Sequence, residues 1–301
     1  MDTLVSVCIP TFERPDLLLE AIESCLKQRH RPLEILIGDD SSGDESRLAI
    51  EAISEQGVEI QYFRHTPGLG QAKNVQSLFQ KAKGEIVTLM HDDDRFREGA
   101  FDVLLPPLFE YPDVIASFGK QIVISEDGKE DHEASSKANA FFHRTSEYAG
   151  KIEDSIEAGA LAMFPNNGYR ARKSYIQQID YFDGNKASKA CDFYFGFRLG
   201  QFGKPFFFCD AFTADYRLTK VSSARSGTDS GFYAFKILSE EIGDSEISTR
   251  LKQHMREKVK VAISQAPRDQ KRLAWKWYFS RWHRSSILSL GGAARFLKLF
   301  R

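Results

Sequence analysis

From Leu4 to Met90, short apolar runs alternate with stretches whose apolar residues recur at helical spacing. Leu4-Val5-Ser6-Val7-Cys8-Ile9 reads as a strand ended by Pro10. Pro15 then opens a segment in which Leu17, Leu18, Ala21, Ile22, Cys25 and Leu26 share one helical face. Pro32 breaks that helix, and Leu33 to Gly38 predicts a second strand ending in Asp39-Asp40. Ser41, Ser42, Gly43 and Asp44 predict a turn that caps a helix running to about Gln56. Val58–Phe63 predicts a third strand, Ala72–Lys83 a helix opened by Gly68 and Gly70, and Glu85–Met90 a fourth strand. Strands buried on both faces are uniformly apolar, and strand–helix alternation at this spacing predicts a doubly wound, mostly parallel α/β sheet with right-handed crossovers.

Beyond Met90 the pattern loosens. Val114–Ser125 predicts one or two strands, Glu126-Asp127-Gly128-Lys129 a hairpin turn, and the polar residues 129–150 a mobile loop. Ile152–Phe164 predicts a helix, Pro165-Asn166-Asn167-Gly168 a turn, and Phe206–Cys209 a late strand. Val221–Ser230, rich in Ser, Gly and Thr, predicts a flexible segment. From Phe232 onward the chain reads as helices interrupted at Pro267 and Gly291-Gly292.

Charge divides the chain. Arg250–Arg301 carries 14 Lys and Arg against two acids, Glu257 and Asp269, a net of +12, which leaves −13 for residues 1–249. A basic stretch that interleaves Trp275, Trp277, Tyr278, Phe279 and Trp282 with Lys271, Arg272, Lys276, Arg281 and Arg284 suits an interfacial helix at an anionic membrane. It suits equally a helix packed on the rest of the protein, or a dimer contact. No nucleic-acid module signature accompanies the charge. The four cysteines form no CxxC pair or metal-ligand spacing. No window reaches the about 18 apolar residues of a spanning helix, and the first residues lack the basic start and apolar core of a signal peptide. These readings lead to an expected cytoplasmic location, with peripheral contact at the inner face of the membrane.

The chemistry concentrates in Met90-His91-Asp92-Asp93-Asp94. Three consecutive carboxylates at a strand end repel unless a cation sits among them, and Mg²⁺ or Mn²⁺ carrying phosphates supplies one. An acidic turn capping the next segment is the competing explanation.

Four ordered blocks now point to a known family. Val5-Ser6-Val7-Cys8-Ile9-Pro10-Thr11-Phe12-Glu13-Arg14-Pro15, Leu36-Ile37-Gly38-Asp39-Asp40-Ser41-Ser42, the Gly68–Asn74 turn and His91-Asp92-Asp93-Asp94 resemble glycosyltransferase family 2 in order and spacing. The resemblance runs from about residue 4 to about residue 220. It implies the GT-A fold, with a helical C-terminal extension here. It also implies inverting transfer of a sugar from a nucleotide diphosphate, UDP being the expected carrier, to a hydroxyl of a glycan or lipid-linked acceptor in cell-surface polysaccharide synthesis. The expected organisation is a catalytic domain over 1–220, with a nucleotide half (1–112) and an acceptor half (113–220), then a loop and basic helical region over 221–301.

Carried onto this sequence, the resemblance makes Pro10, Thr11, Phe12 and Glu13 a nucleotide cradle, Phe12 packing on a ring. Asp39 or Asp40 accepts the base N–H while its neighbour serves the turn or the ribose. Lys73 places a cation near the base or diphosphate, where most of the family has Arg. Asp93 becomes the Mn²⁺ or Mg²⁺ ligand and Asp92 bonds the ribose or adds to the metal shell, with Asp94 behind them and His91 set aside. Asp192, opening an aromatic helix, resembles the catalytic base, and it can cap that helix at the same time. One departure stands out: Tyr216-Arg217-Leu218-Thr219 replaces the family's Tyr-Arg-x-His, so Thr219 stands where a metal-binding His is common. Arg217, Lys220 and Arg225 are then expected to close over the leaving diphosphate. Two alternatives remain at this point. A metal-dependent nucleotidyltransferase would show a Gly-rich phosphate loop where Pro10-Thr11-Phe12-Glu13 stands. A non-catalytic nucleotide-sugar-binding or scaffold protein would fit the missing His.

Overall fold

The computed structural model describes residues 3–53, 57–183, 188–219, 229–242 and 247–300. They fall into two compact units, one within Met1–Phe182 and Phe195–Thr219, the other within Asp183–Tyr194 and Lys220–Arg301. The short stretch from Asp183 thus groups with the C-terminal helices rather than with the expected 1–220 span, and Lys189 pairs there with Asp229 at 3.5 Å.

The first unit is built on a ten-stranded sheet: β1 (Val5–Thr11), β2 (Leu33–Asp39), β3 (Glu59–Arg64), β4 (Ile86–Leu89), β5 (Arg95–Phe96), β6 (Ala116–Ile124), β7 (Glu130–Asp131), β8 (Gly150–Ile152), β9 (Arg170–Arg172) and β10 (Phe206–Arg217). The main order is β3-β2-β1-β4-β9-β6-β10-β5, with β7 on β6 and β8 on β10. The long ladders, β1 with β2 and β4, β2 with β3, and β6 with β10, are parallel; the two- and three-residue ladders are antiparallel. Every residue of β1 and β2 is buried, which explains why they are mostly apolar. The helices Pro15–Leu26 and Gln71–Lys81 cover the sheet with Leu18, Ile22, Val75 and Leu78.

Register sets the site. Val5 pairs with Leu33 and Thr11 with Asp39, while Val5 to Cys8 pair with Ile86 to Leu89. Thr11, Asp39 and the residues after Leu89 therefore emerge together at the carboxyl ends, where α/β sheets bind ligands. At the opposite end, buried Glu34 accepts hydrogen bonds from Ser6 Oγ, Gln61 Nε2, Lys83 N and Gly84 N. One carboxylate thus ties β1, β2, β3 and the turn before β4.

Several expectations change. Residues 129–150 are not a loop: they hold β7, the helix His132–Phe141 and the first residue of β8. Asp131 caps that helix through Ala134 N–H, and its buried face is polar. Ser135 Oγ accepts from Val123 N, and Asn139 bonds both Gln121 N and Gln121 O. The helix expected over 152–164 is shorter, Ser155–Ala160, and β10 continues past Cys209 to Arg217 through two register shifts. The helix after Asp44 ends at Glu51, and the Asp44 carboxylate binds Arg64 rather than capping. The flexible segment expected over 221–230 lies mostly outside the described residues.

The second unit packs the helices Ser230–Glu241, Thr249–Ser264, Lys271–Tyr278 and Leu290–Leu299. Trp277 is buried against Phe232 and Phe235, and Tyr278 against His283 and Phe296. The core aromatics of the basic stretch therefore serve packing. Among the described residues no helix is long and apolar enough to cross a membrane, and all four cysteines are free thiols.

Candidate active site

Asp92 sits one strand-end away from Thr11. Its Oδ2 accepts from Thr11 Oγ1 at 2.9 Å and from the Phe12 N–H at 3.4 Å. Arg14 reaches back from the start of the first helix: its Nη1 donates to Asp93 Oδ2 at 2.8 Å and lies 3.5 Å from Asp92 Oδ1. The guanidinium therefore offsets the charge of the Asp92 and Asp93 carboxylates. Asp94 points inward, accepting from the Arg217 N–H at 2.7 Å and from Asn167 Nδ2. Burial, then the Asp93 charge, pushes the Asp92 carboxyl up to about 6, against the pull of Arg14 and Thr11. The same two causes hold Asp94 well above the usual carboxylate range.

The cradle is interlocked. Phe12 is 61% exposed and presents a free ring beside these carboxylates, while Pro10 lies inside β1 opposite Gly38. Glu13 adopts φ 55°, costly for a non-glycine residue, and is held there by Ser42, whose N–H and Oγ both donate to Glu13 Oε1. Glu13 thus joins the β1 turn to the β2 turn. Asp39 is fully buried, accepting from Ser41 N–H and the Tyr62 hydroxyl, so it builds the turn. Asp40 accepts from Leu69 N and Gly70 N, with His65 Nδ1 at 3.0 Å. Lys73, exposed near the start of the next helix, holds its Nζ 4.6 Å over the Phe182 ring.

Arg217 departs from expectation. Its side chain is 2% exposed, and its nitrogens donate to Asp93 O, Glu126 O and Glu20 Oε2. A guanidinium spent on three protein partners props the acidic turn and does not close over a diphosphate. Lys220 and Arg225 lie outside the described residues. Asp192 belongs to the second unit, half-buried in the first turn of the helix Cys191–Gly200.

Thr11, Phe12, Asp92 and Asp93 are legible from the motifs alone. Arg14, Asn167, Glu20 and His65 are not read from the sequence as site residues. Arg14 is visible within the first block, but its role depends on a contact 79 positions away.

The chain that carries this arrangement is similar to known proteins. Residues 6–171, more than half of the chain, match the glycosyl transferase family 2 model. The chain belongs to glycosyltransferase family 2. Among curated members, it is 34% identical over 102 residues to the GalNAc(5)-diNAcBac-PP-undecaprenol beta-1,3-glucosyltransferase of Campylobacter jejuni, covering 34% of this chain and 33% of that one. It is 33% identical over 106 residues to the glycosyltransferase GlyG of Streptococcus pneumoniae, covering 35% of each. The matched segment thus spans about a third of these family members. Two solved structures share the fold at 14% identity, each aligned over 100% of this chain and 88% of theirs. S. aureus TarS 1–349 in complex with UDP gives a TM-score of 0.63. The mannosyltransferase PcManGT of Pyrobaculum calidifontis, in complex with GDP-Man and Mn²⁺, gives 0.61. The fold is GT-A.

Proposed function

We propose that this protein transfers a sugar, with inversion, from a nucleotide-diphospho-sugar to a hydroxyl of a glycan or lipid-linked acceptor in cell-surface polysaccharide synthesis, working from the cytoplasmic side. The observation that carries the reading is the carboxylate pair Asp92–Asp93 at the ends of β1 and β4, clasped by Thr11 and neutralised by Arg14. The UDP complex of TarS and the lipid-linked substrate in the name of the Campylobacter relative favour a UDP-sugar and such an acceptor.

The donor set suits a hard divalent ion. Among the described residues no cluster of three or more Asp, Glu, His or Cys is arranged as a metal site. Mg²⁺ and Mn²⁺ need only one or two carboxylates when a diphosphate and water complete the shell. Arg14 already stands in for such a cation on Asp93. The strand that braces Asp94 ends near Thr219, whose buried hydroxyl lacks a hydrogen-bond partner and is itself a hard oxygen donor. Asp93 would hold the ion, whose charge offsets that of the leaving diphosphate. Phe12 packs on the base, and Asp40, with Asp39 fixing the turn, takes its N–H. Lys73 supplies positive charge from the helix start. Asp192 takes the proton of the acceptor hydroxyl as its oxygen bonds the anomeric carbon and the bond to the diphosphate breaks.

A thermal-shift panel of nucleotide sugars with and without Mn²⁺ tests the donor, because the true ligand stabilises by RT ln(1 + [L]/Kd). Asp192→Asn should lose about 10²–10⁴-fold in transfer while keeping the donor-induced shift. Full transfer by that variant removes Asp192 from the mechanism, and no shift with any nucleoside diphosphate refutes the reading.

A further inference from the structure

The helix Leu290–Leu299 is apolar on both faces. Its inner face is fixed by close packing. Gly292 lies so near the preceding turn that a Cβ there would fall 2.2 Å from Ser286 O and 2.3 Å from Ile287 O. Tyr278 Oη donates to Gly292 O, Arg295 Nε donates to His283 Nε2 at 2.9 Å, and Leu299 is buried. Trp275 meets Phe296 and Phe300 edge-on, fastening the end of the helix to its neighbour Lys271–Tyr278. The rotation of the helix about its axis is therefore set.

What that rotation turns outward is Leu290, Ala293, Ala294 and Leu297, spaced i, i+3, i+4, i+7, and all four are exposed. Leu290 is 93% exposed, Leu288 in the turn before it 100%, Leu297 62% and Phe300 69%. A helix bathed in water carries polar residues on that stripe. Exposed bases flank the stripe along the chain, Arg281 and Arg284 before the helix and Lys298 within it.

We propose that this face, Leu288 to Phe300 with its flanking bases, is an interfacial anchor for an anionic lipid bilayer. Apolar side chains on one helical stripe with bases alongside are what a helix lying in the headgroup plane presents. Charge selects the lipid over a second copy of the chain. The segment Arg250–Arg301 has a net charge of +12, so two such surfaces repel each other, whereas a leaflet of acidic phospholipid attracts both. The inference stands on the second unit alone and does not depend on the transfer reaction. It would bring the protein to lipid-borne substrates of whatever chemistry.

The test is co-sedimentation of the full chain with vesicles of phosphatidylcholine alone and of phosphatidylcholine mixed with phosphatidylglycerol. Molar mass is read in parallel by sedimentation velocity without lipid. Binding to the anionic vesicles, and weak or no binding to the neutral ones, is expected. Leu288→Ser with Leu290→Ser should weaken it at least about 10-fold, since each leucine loses its burial in the acyl boundary. Arg284→Gln with Lys298→Gln should weaken it about 10–30-fold at low salt, at about fivefold per base. These side chains are exposed, so unchanged circular dichroism and melting should accompany both variants. Equal binding by wild type and the leucine variant, or no binding to anionic vesicles at low salt, overturns the proposal. A wild-type dimer that the leucine variant converts to monomer, without vesicle binding, assigns the face to self-association instead.

Discussion

Replacing Arg14 by Gln isolates the role of the cation paired with the Asp92 and Asp93 carboxylates. In the wild type its guanidinium lies 2.8 Å from Asp93 and 3.5 Å from Asp92, with 33% of the Arg14 side chain, 16% of Asp93 and 9% of Asp92 exposed. Breaking a fully buried pair costs about 3–5 kcal/mol, and a fully exposed one less than about 1 kcal/mol. This half-buried pair should fall between, at about 1–3 kcal/mol. The loss should lower the melting temperature by about 2–8 °C at pH 7.5 without metal. With Arg14 gone, Asp92 should hold its proton even more firmly than its present value of about 6. The deficit should therefore shrink at pH 5, where Asp92 is mostly protonated in both proteins and fewer charges need a partner. Mn²⁺ should do the opposite to the two proteins. It competes with Arg14 for Asp93 in the wild type but not in the variant, so Arg14→Gln should bind it about 5–160-fold more tightly, the same pair energy expressed as affinity. Differential scanning fluorimetry at two pH values, with a Mn²⁺ titration followed by electron paramagnetic resonance, reads all three effects. A variant that melts with the wild type at pH 7.5 and binds Mn²⁺ no better would show that Arg14 is not a counter-ion in competition with metal.

Three further outcomes follow from the same geometry. Asp92 ionises near 6 in the folded chain, above its ordinary range. Its contribution to stability is therefore full below about pH 4 and lost as pH rises through about 6, a swing of about 3 kcal/mol. Asp92→Asn should remove that swing, so the melting-temperature difference between variant and wild type should grow in the variant's favour from pH 5 to pH 7.5. Gly84→Ala should cost at least about 2–3 kcal/mol in urea unfolding, because the new Cβ would lie 2.6 Å from Leu4 O and 2.8 Å from Ser6 N. Asn139→Ala should cost about 2–4 kcal/mol, leaving Gln121 N and Gln121 O without their partner inside the protein, a loss that chemical denaturation measures.

The nucleotide half of the fold was readable because its strands are buried on both faces, so Val5–Ile9, Leu33–Ile37 and Ile86–Met90 are mostly apolar runs, broken only by Ser6, Glu34 and Thr88. The helix His132–Phe141 was not readable for the converse reason. The residues it buries, Ser135 and Asn139, are polar and earn their place by bonding the backbone of β6, which a hydrophobic period does not register. The second half of β10 is not legible in the sequence because its two register shifts break the alternation that marks a strand. At the site, residue types at strand ends exposed Thr11, Asp92 and Asp93. The supports came from far along the chain: Arg217 reaches Asp93 O across 124 positions and Asn167 reaches Asp94 across 73. Arg217 shows the hazard of reading a base by type alone, since its charge is consumed by Glu20 and two carbonyls.

Glu34 lies at the end of the sheet opposite the chemistry, yet it acts as a common datum for the strands that hold the chemistry. Because one carboxylate bonds Ser6, Gln61, Lys83 and Gly84, the starting heights of β1, β3 and β4 are all measured from β2. Stiff strands carry that alignment roughly 17 Å, five residues at about 3.3 Å each, from Ser6 to Thr11. A one-residue slip would strand the charge against apolar neighbours, so the level of the cradle is enforced from below. Site geometry in this protein is then adjustable at a distance: a shorter acid at position 34 would tilt the floor on which Thr11, Asp39 and Asp92 stand without touching any of them.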